Sequence, residues 1–562
     1  MVRRLERFLI AESETITGAA LLIGASSLLS RFLGVLRERL LVSRFGVGDE
    51  LDAYFASFQA PNFIFNLLIL GTLSVALIPV FVDYYEKNRI QAWRVAGAIA
   101  NAAALLVGAL SLLLFVFAPQ LTPFIAPGFT GEKLALAVTL TRIMAFSPLL
   151  FALSSVFGSV LNARRQFLAT ALAPVVYNLS IIAGIVLGAR LWGIYAVAGG
   201  VLGGALLHVT LQYFAARAAG FRWIRGLELA QAGVRETWRL FFPRVWGIDI
   251  SQISLLTGSI IGSTFTVGSV ALFNLATNIQ AVPVGVLGIP FAIAAFPSLA
   301  AASARGERQV FLDTFSRTAR QIVFFLLPLA AMTVVLRAHV IRLVIGTQNL
   351  SWDDTRLAAA ALALFAASFF LQGLTPLLSR AFYALKNTLT PVLVSGAAVL
   401  TFVVLSYAFL EFLRRDGQAV DSLVTLLRLR GVPDIRLLSL PLAFSAASLT
   451  QVLALAAVLR LKYGRLDGRR IAISILKTGT AALGALIITR LGLLLASFFA
   501  GDKTFLGLLF QTIVAAAFGG IGFLAAALAL RSEEAEIFIS SLRRKLVVAA
   551  RPLGFADATD MR

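Results

Sequence analysis

The sequence predicts an all-α polytopic membrane protein of about 14 transmembrane helices, with two six-helix lobes around a central cavity and two C-terminal helices beyond them. Three observations carry that prediction. Hydrophobic residues make up 59% of the chain and charged ones only 14%, where a soluble domain carries roughly a quarter. Long apolar runs follow one another between short polar hinges, with arginine and lysine crowding every second hinge. A weak repeat at a spacing of about 220 residues divides the chain into halves.

A run of about 20 apolar residues spans a bilayer as a helix, and backbone groups in lipid must be paired within the segment, so the runs specify a helical bundle. They begin near Thr17, Asp52, Trp93, Ala135, Leu168, Gly193, Trp238, Ser269, Phe311, Thr355, Thr388, Leu437, Ile471 and Phe505. One set of hinges is densely basic, with Arg3, Arg4 and Arg7, then Lys87, Arg89 and Arg94, then Arg164 and Arg165 at its start, and Arg460 to Arg470 and Arg543 to Lys545 at its end. The other set offers little beyond Arg44, Lys133, Arg190, Arg337, Arg342 and Lys503 outside the mixed stretch from Glu411 to Arg436. The positive-inside rule then places both termini in the cytoplasm and the chain in a bacterial inner membrane.

The repeat sets the organisation. Val47-Gly48, Ala56, Gln59-Ala60, Pro61 and Ala76 to Pro79 are echoed by Val267-Gly268, Ala276, Gln280-Ala281, Pro283 and Ala294 to Pro297. Residues 1–15 then form a cytoplasmic N-terminal segment, 16–218 an N-lobe, 219–237 a cytoplasmic linker, 238–462 a C-lobe, 463–531 the last two helices and 532–562 a cytoplasmic tail. Parallel repeats of this kind place a substrate site at the lobe interface near the midplane.

Several function classes fall away. The net charge of +21 is spread over membrane-flanking loops, which suits anionic membrane lipids and not nucleic acid. Cysteine is absent, which excludes disulfides and thiol chemistry. The two histidines, His208 and His339, have no ligand-spaced partner, so no metal is expected; His208 reads as packed and His339 as interfacial. Gly199-Gly200 and Gly203-Gly204 sit inside an apolar run and read as close helix packing, not as a phosphate loop. No cofactor and no enzymatic activity are expected.

Charges inside the spans are the candidate site. The first run contains Arg31, Arg37 and Arg39 beside Glu38. A central arginine costs about 2.5 to 3.5 kcal/mol on insertion scales, so it should face a cavity or a partner, unless this end of the helix lies at the interface and the side chain snorkels. Arg31 and Arg37 stand well off one face of a regular helix, and a break at Gly34 would bring both to one cavity. Asp52 opens the second helix, as a cap or as a gate contact between lobes. Arg142 and Arg380 are secondary candidates, Arg380 being close enough to the cytoplasmic rim to snorkel.

These residues also carry a resemblance. Ser30 to Glu38, Phe45-Gly46, Asp52 to Phe55, Phe58, Pro61-Asn62, Gly71, Leu73-Ser74 and Pro79-Val80 resemble the opening of the MurJ/MviN family, the lipid II flippases of the multidrug/oligosaccharidyl-lipid/polysaccharide exporter superfamily. Leu161 to Ala163, Ala171 to Val175, Pro243-Arg244, Gln252-Ile253, Gly285-Val286, Leu377 to Ala384 and Thr390 to Val392 continue it in order. The resemblance implies a flippase moving a polyprenyl-pyrophosphate-linked glycopeptide by alternating access, with cell-wall synthesis machinery as further partners. It implies a lipid-tail groove at the last two helices, Arg31 and Arg37 as pyrophosphate ligands, and Ser30, Glu38 and Asp52 as gate or charge partners. Four places depart from the family. Phe65 and Asn66 stand where a basic pair is usual, Ile69 to Gly71 where an alanine, an acid and a glycine are usual, Thr277 and Asn278 where an acid and an arginine are usual, and Gly258 where a sodium-associated acid is found in some members. Asn66 and Asn278 are therefore secondary site candidates, and sodium is not expected as the coupling ion. Other readings are a flippase for another polyprenyl-linked glycan and a membrane scaffold.

Overall fold

The computed structural model describes residues 16–68, 73–224, 226–245, 250–415, 417–464 and 466–549. The expected N-terminal segment, the end of the expected tail and the departure at Ile69 to Gly71 lie outside them. Among the described residues the chain is helical and has no strand. In chain order the helices are α1 (Ile16–Phe45), α2 (Asp49–Leu68), α3 (Leu73–Lys87), α4 (Arg89–Ile125), α5 (Gly131–Met144), α6 (Ser147–Ala163), α7 (Leu168–Ala183), α8 (Ala189–Trp192), α9 (Ile194–Ala218), α10 (Ala232–Val245) and α11 (Ile250–Gly262). Then come α12 (Ser269–Pro283), α13 (Ile289–Ala304), α14 (Arg308–Ile345), α15 (Trp352–Ala366), α16 (Phe369–Ala384), α17 (Leu389–Arg414), α18 (Gln418–Leu427), α19 (Ser439–Tyr463), α20 (Gly468–Phe499), α21 (Phe505–Ala529) and α22 (Glu533–Ala549). Each apolar run of the sequence meets a helix or a bent helix pair. Among the described residues ten segments are long and apolar enough to cross a membrane, and α15 with α16, bent by 43°, makes an eleventh if the pair is one span.

The breaks in these rods have local causes. Ser147 Oγ donates to Met144 O (2.8 Å) where α5 gives way to α6, and Ser368 Oγ donates to Phe365 O (2.8 Å) where α15 gives way to α16. A hydroxyl bonded back into the preceding turn bends a helix. The far ends match as well. Beyond α6, Arg165 adopts φ 58° and Gln166 N–H bonds Leu161 O at 2.9 Å; beyond α16, Lys386 adopts φ 58° and Asn387 N–H bonds Phe382 O at 2.9 Å. Both are six-to-one closures of a helix C-terminus through a left-handed residue. Break and cap thus recur at the spacing of roughly 220 residues that the sequence repeat suggested.

By spatial proximity the chain forms two compact units. One comprises Met1–Ile279, Val344–Ala361 and Val392–Ala447; the other comprises Gln280–Leu343, Leu362–Pro391 and Ser448–Arg562. This grouping is of a different kind from a duplicated lobe, and the lobe boundaries at 16–218 and 238–462 stay a proposal.

In the first unit, α7 packs on α9 through small residues. A Cβ on Gly204 would come within 2.8 Å of the Tyr177 ring, and one on Gly200 within 3.0 Å of Ser180 O, so these two glycines let the backbones meet. An aromatic cluster of Phe81, Tyr85, Trp93, Phe157, Tyr213 and Phe221 ties α3, α4, α6 and α9 to the segment after α9. In the second unit, α20 and α21 form a tight pair around Gly492, Gly519 and Gly522, with Phe324 of α14 against Phe523. Arg320 of α14 reaches Glu533 and Glu534 at the start of α22 (2.6 Å each), fixing the tail helix to the bundle.

Candidate functional site

A cavity of about 360 Å³ opens inside the first unit. Its polar lining is Arg37 and Glu38 from α1, Tyr54, Gln59 and Asn62 from α2, Ser147 from α6, Tyr177 from α7, His208 from α9, and Asn274 and Asn278 from α12. Phe55, Phe58, Phe65 and Phe151 close the rest.

Arg37 is the central group. Its Nη2 donates to Glu38 Oε1 at 2.6 Å and its Nη1 to Asn178 Oδ1 at 3.1 Å. Asn178 is in turn held by α1 and α7, its Nδ2 donating to Ser30 Oγ (3.2 Å) and Pro174 O (3.1 Å). Asn278 Nδ2 donates to the same Glu38 oxygen at 3.3 Å. Two buried atoms of this cluster have no hydrogen-bond partner among the described residues: Glu38 Oε2 and Arg37 Nε. The guanidinium is thus aimed by a scaffold of three helices and only partly satisfied, which is what an anion-binding cavity needs before its anion arrives.

A second charged cluster is built around Asp52 in the same unit. Asp52, 1% exposed, accepts from Gly268 N (2.7 Å) and Lys133 Nζ (2.8 Å) on Oδ2 and from Ala271 N (2.8 Å) on Oδ1. Lys133 also pairs with Asp49 at 2.7 Å and lies over the Phe129 ring. Asp52 lies in the first turn of α2, and its side chain accepts from backbone N–H groups at the head of α12, so it joins the two helices; its gate role stays a proposal. Val47 and Gly268, from the corresponding Val-Gly pairs of the repeat, meet here: Gly268 has φ +91°, and a Cβ on it would fall 2.5 Å from the Val47 side chain.

The remaining candidates are placed as follows. Helix α1 runs unbroken through Gly34, so Arg31 and Arg37 keep different faces. Arg31 is exposed and is not among the cavity-lining residues. Arg142 donates from Nε to Phe115 O (3.2 Å) and lies over that ring, a contact between α4 and α5. Arg380 is in the second unit and bonds back to Pro376 O at 3.4 Å. Asn66 bonds back to Asn62, one turn before it (2.8 Å), and Asn278 reaches the cavity. Gly258 is filled from outside, a Cβ there falling 2.1 Å from the Phe273 ring. His339 bonds Gln511 at 3.0 Å, whereas His208, expected only to pack, packs against Phe151 and also lines the cavity with Ser154 Oγ at 2.6 Å from Nδ1.

Sequence reasoning missed Asn178, Tyr54, Tyr177 and Lys133 as parts of these clusters. Lys133 had registered only as a sparse charge of the outer hinges, and the polar residues within apolar runs gave a signal shared with ordinary helix-packing positions.

Comparison with known proteins follows the same lines. The family model described as "Lipid II flippase MurJ" matches residues 41–510. A "Probable lipid II flippase MurJ" of Rhizobium tropici is 27% identical over 411 residues, covering 72% of this chain and 77% of that protein. A "Lipid II flippase MurJ" of Burkholderia cenocepacia is 24% identical over 408 residues, covering 71% and 79%. A solved structure titled "Lipid II flippase MurJ, inward closed conformation" superposes with a TM-score of 0.70 at 22% identity, over 94% of this chain and all of that one. An inward-facing multidrug transporter of the same superfamily gives 0.60 at 14% identity, over 78% of this chain. With a family model spanning most of its helices, the chain belongs to the MurJ lipid II flippase family of multi-pass inner-membrane transport proteins.

Proposed function

We propose that this chain translocates lipid II across the bacterial cytoplasmic membrane by alternating access, with both termini in the cytoplasm. The family match over residues 41–510 is the observation that carries the cargo. The site supplies the chemistry: Arg37, deep among apolar helices, offers the planar donor set that a pyrophosphate accepts. Arg31 remains a pyrophosphate ligand in this proposal, approaching the head group outside the present cavity, Ser30 a partner of the charge cluster through Asn178, and Arg142, Arg380 and Asn66 secondary residues. Glu38 and Asn278 hold the guanidinium until the cargo arrives.

The volume gives the order of events. About 360 Å³ lies at the small end of ligand sites, enough for a pyrophosphate and too little for a disaccharide-pentapeptide. Head-group loading therefore requires the helices around Arg37 to separate. Asp52 acts at the other stage: its three charge-assisted bonds to α12 and Lys133 hold the outer end shut while the inner end loads, and their rupture opens the way out. The apolar outer faces of α20 and α21, with Ile487, Phe498, Phe499 and Leu506 exposed, suit the polyprenyl tail. Cell-wall synthesis enzymes that use the flipped product complete the partner set of this proposal.

Expression in a host whose own lipid II flippase is switched off tests the reading. Growth and a normal pool of inward-facing lipid II are expected. A chain that reaches the membrane at normal abundance yet leaves that pool accumulated overturns lipid II as the cargo.

A further inference from the structure

The ion pair that aims Arg37 also cancels it. Glu38, 5% exposed, sits on the guanidinium at 2.6 Å, so the resting cavity presents an anion with a neutral pair and a carboxylate beside it. A pyrophosphate brought onto Arg37 would stand within a few ångströms of that carboxylate, two like charges among apolar helices, where screening is weak.

Its two oxygens are not equivalent. Oε1 carries both of its recorded bonds, from Arg37 and Asn278. Oε2 is buried and has no hydrogen-bond partner among the described residues, on a side chain that lines the cavity. An ionised carboxylate oxygen left unbonded inside a membrane protein is costly, and a proton placed on it removes that cost and converts a repelling acceptor into a donor.

We propose that Glu38 takes up one proton on Oε2 as the pyrophosphate binds Arg37, so that cargo loading is coupled to protonation of the cavity. The inference rests on the flippase reading above and adds to it the coupling group. In the empty state Glu38 is ionised and neutralises Arg37. In the loaded state the pyrophosphate takes over Arg37, the protonated Glu38 donates from Oε2 to a phosphate oxygen, and Oε1 keeps its bond from Asn278. Release on the outer side returns Glu38 to the ionised pair and discharges the proton there.

The other titratable or charged groups near Glu38 are few. On its own helix they are Arg37 and Arg39; α2 contributes Tyr54, α7 Tyr177 and α9 His208, while α12 brings only the neutral Asn274 and Asn278. Arginine keeps its charge and tyrosine its proton across the working range. His208 is the competing proton acceptor, with Nδ1 already engaged by Ser154 Oγ.

The test uses the full-length protein in nanodiscs and two probes, lipid II and a polyprenyl-pyrophosphoryl monosaccharide, both pyrophosphate diesters that do not themselves titrate between about pH 5 and 8. Calorimetry in buffers of different ionisation enthalpy counts the protons exchanged. About one proton taken up per ligand is expected, with affinity rising up to about tenfold for each unit the pH falls while free Glu38 is ionised. Glu38→Gln should hold the low-pH affinity at every pH and take up none. Zero uptake by the unaltered protein overturns the proposal and needs no variant; so does a pH slope that survives in Glu38→Gln and vanishes in His208→Gln. If the monosaccharide lipid binds with proton uptake and lipid II does not bind, the coupling stands and the lipid II reading fails. If neither binds at any pH, both are overturned.

Discussion

The Asp52 and Glu38 clusters lie in the same compact unit and use the same ingredients, a buried carboxylate, a cation and groups from α12, yet they are finished differently. Asp52 has both oxygens engaged, by two backbone N–H groups and Lys133. Glu38 and Arg37 leave Oε2 and Nε without partners among the described residues. A fully bonded charge cluster holds one geometry, whereas a partly bonded one costs stability and is kept only where something else completes it. On the proposed reading, the contrast sets a latch apart from a binding site.

The largest effect should come from Arg37. Removing one member of a buried pair leaves the other charge uncompensated, at about 3 to 5 kcal/mol. Arg37→Ala should therefore abolish growth rescue and also lower thermal stability. The double variant Arg37→Ala/Glu38→Gln should regain most of that stability and none of the function. Should it regain both, Arg37 would be a structural counter-ion only, and the distinction between the clusters would collapse.

Next comes the latch. Asp52→Asn keeps one acceptor oxygen and loses the charge, weakening charge-assisted bonds that contribute about 1.5 to 3 kcal/mol. Because the chain has no cysteine, Ala271→Cys introduces a single thiol at a fully buried position beside Asp52. Labelling from the outer side should be slow in the Ala271→Cys background and about tenfold faster when Asp52→Asn is added. Equal rates in the two backgrounds would show that Asp52 is only a helix cap.

Much of this was legible in the sequence, and what was not has a definite cause. A charge in an apolar run is conspicuous, which is why Arg37, Glu38 and Asp52 stood out, and the repeat could be seen in Val47-Gly48 and Val267-Gly268 before the two were known to touch. The partners of those charges were not visible. Asn178 is 141 residues from Arg37, and whether it faces Arg37 depends on how α1 turns against α7, which single-helix periodicity does not encode. Lys133 looked like an outer-loop charge because its burial against Phe129 arises only when α2 and α5 are packed. The breaks at Ser147 and Ser368 were likewise hidden, since serine inside an apolar run bends a helix only when its hydroxyl turns back onto the preceding carbonyl.

The smallest effect is expected at Arg31, and it tests the comparison from the other side. The sequence grouped Arg31 with Arg37, and a helix break at Gly34 would have brought them to one cavity. Helix α1 is continuous there, and Arg31 is left exposed with no place in the cavity wall. A side chain that makes no buried pair has little to lose on truncation, so Arg31→Ala should change thermal stability by less than about 0.5 kcal/mol. Its functional cost should be correspondingly mild: growth rescue is retained and transport falls by less than about tenfold, about 1.4 kcal/mol of transition-state stabilisation. The measurement is a side-by-side titration of expression level against growth for Arg31→Ala and Arg37→Ala. If Arg31→Ala fails as completely as Arg37→Ala at equal abundance, then Arg31 must enter the cavity in another conformation of the transport cycle, and the partly satisfied pair would be one half of a larger anion site that assembles only when the lobes rearrange.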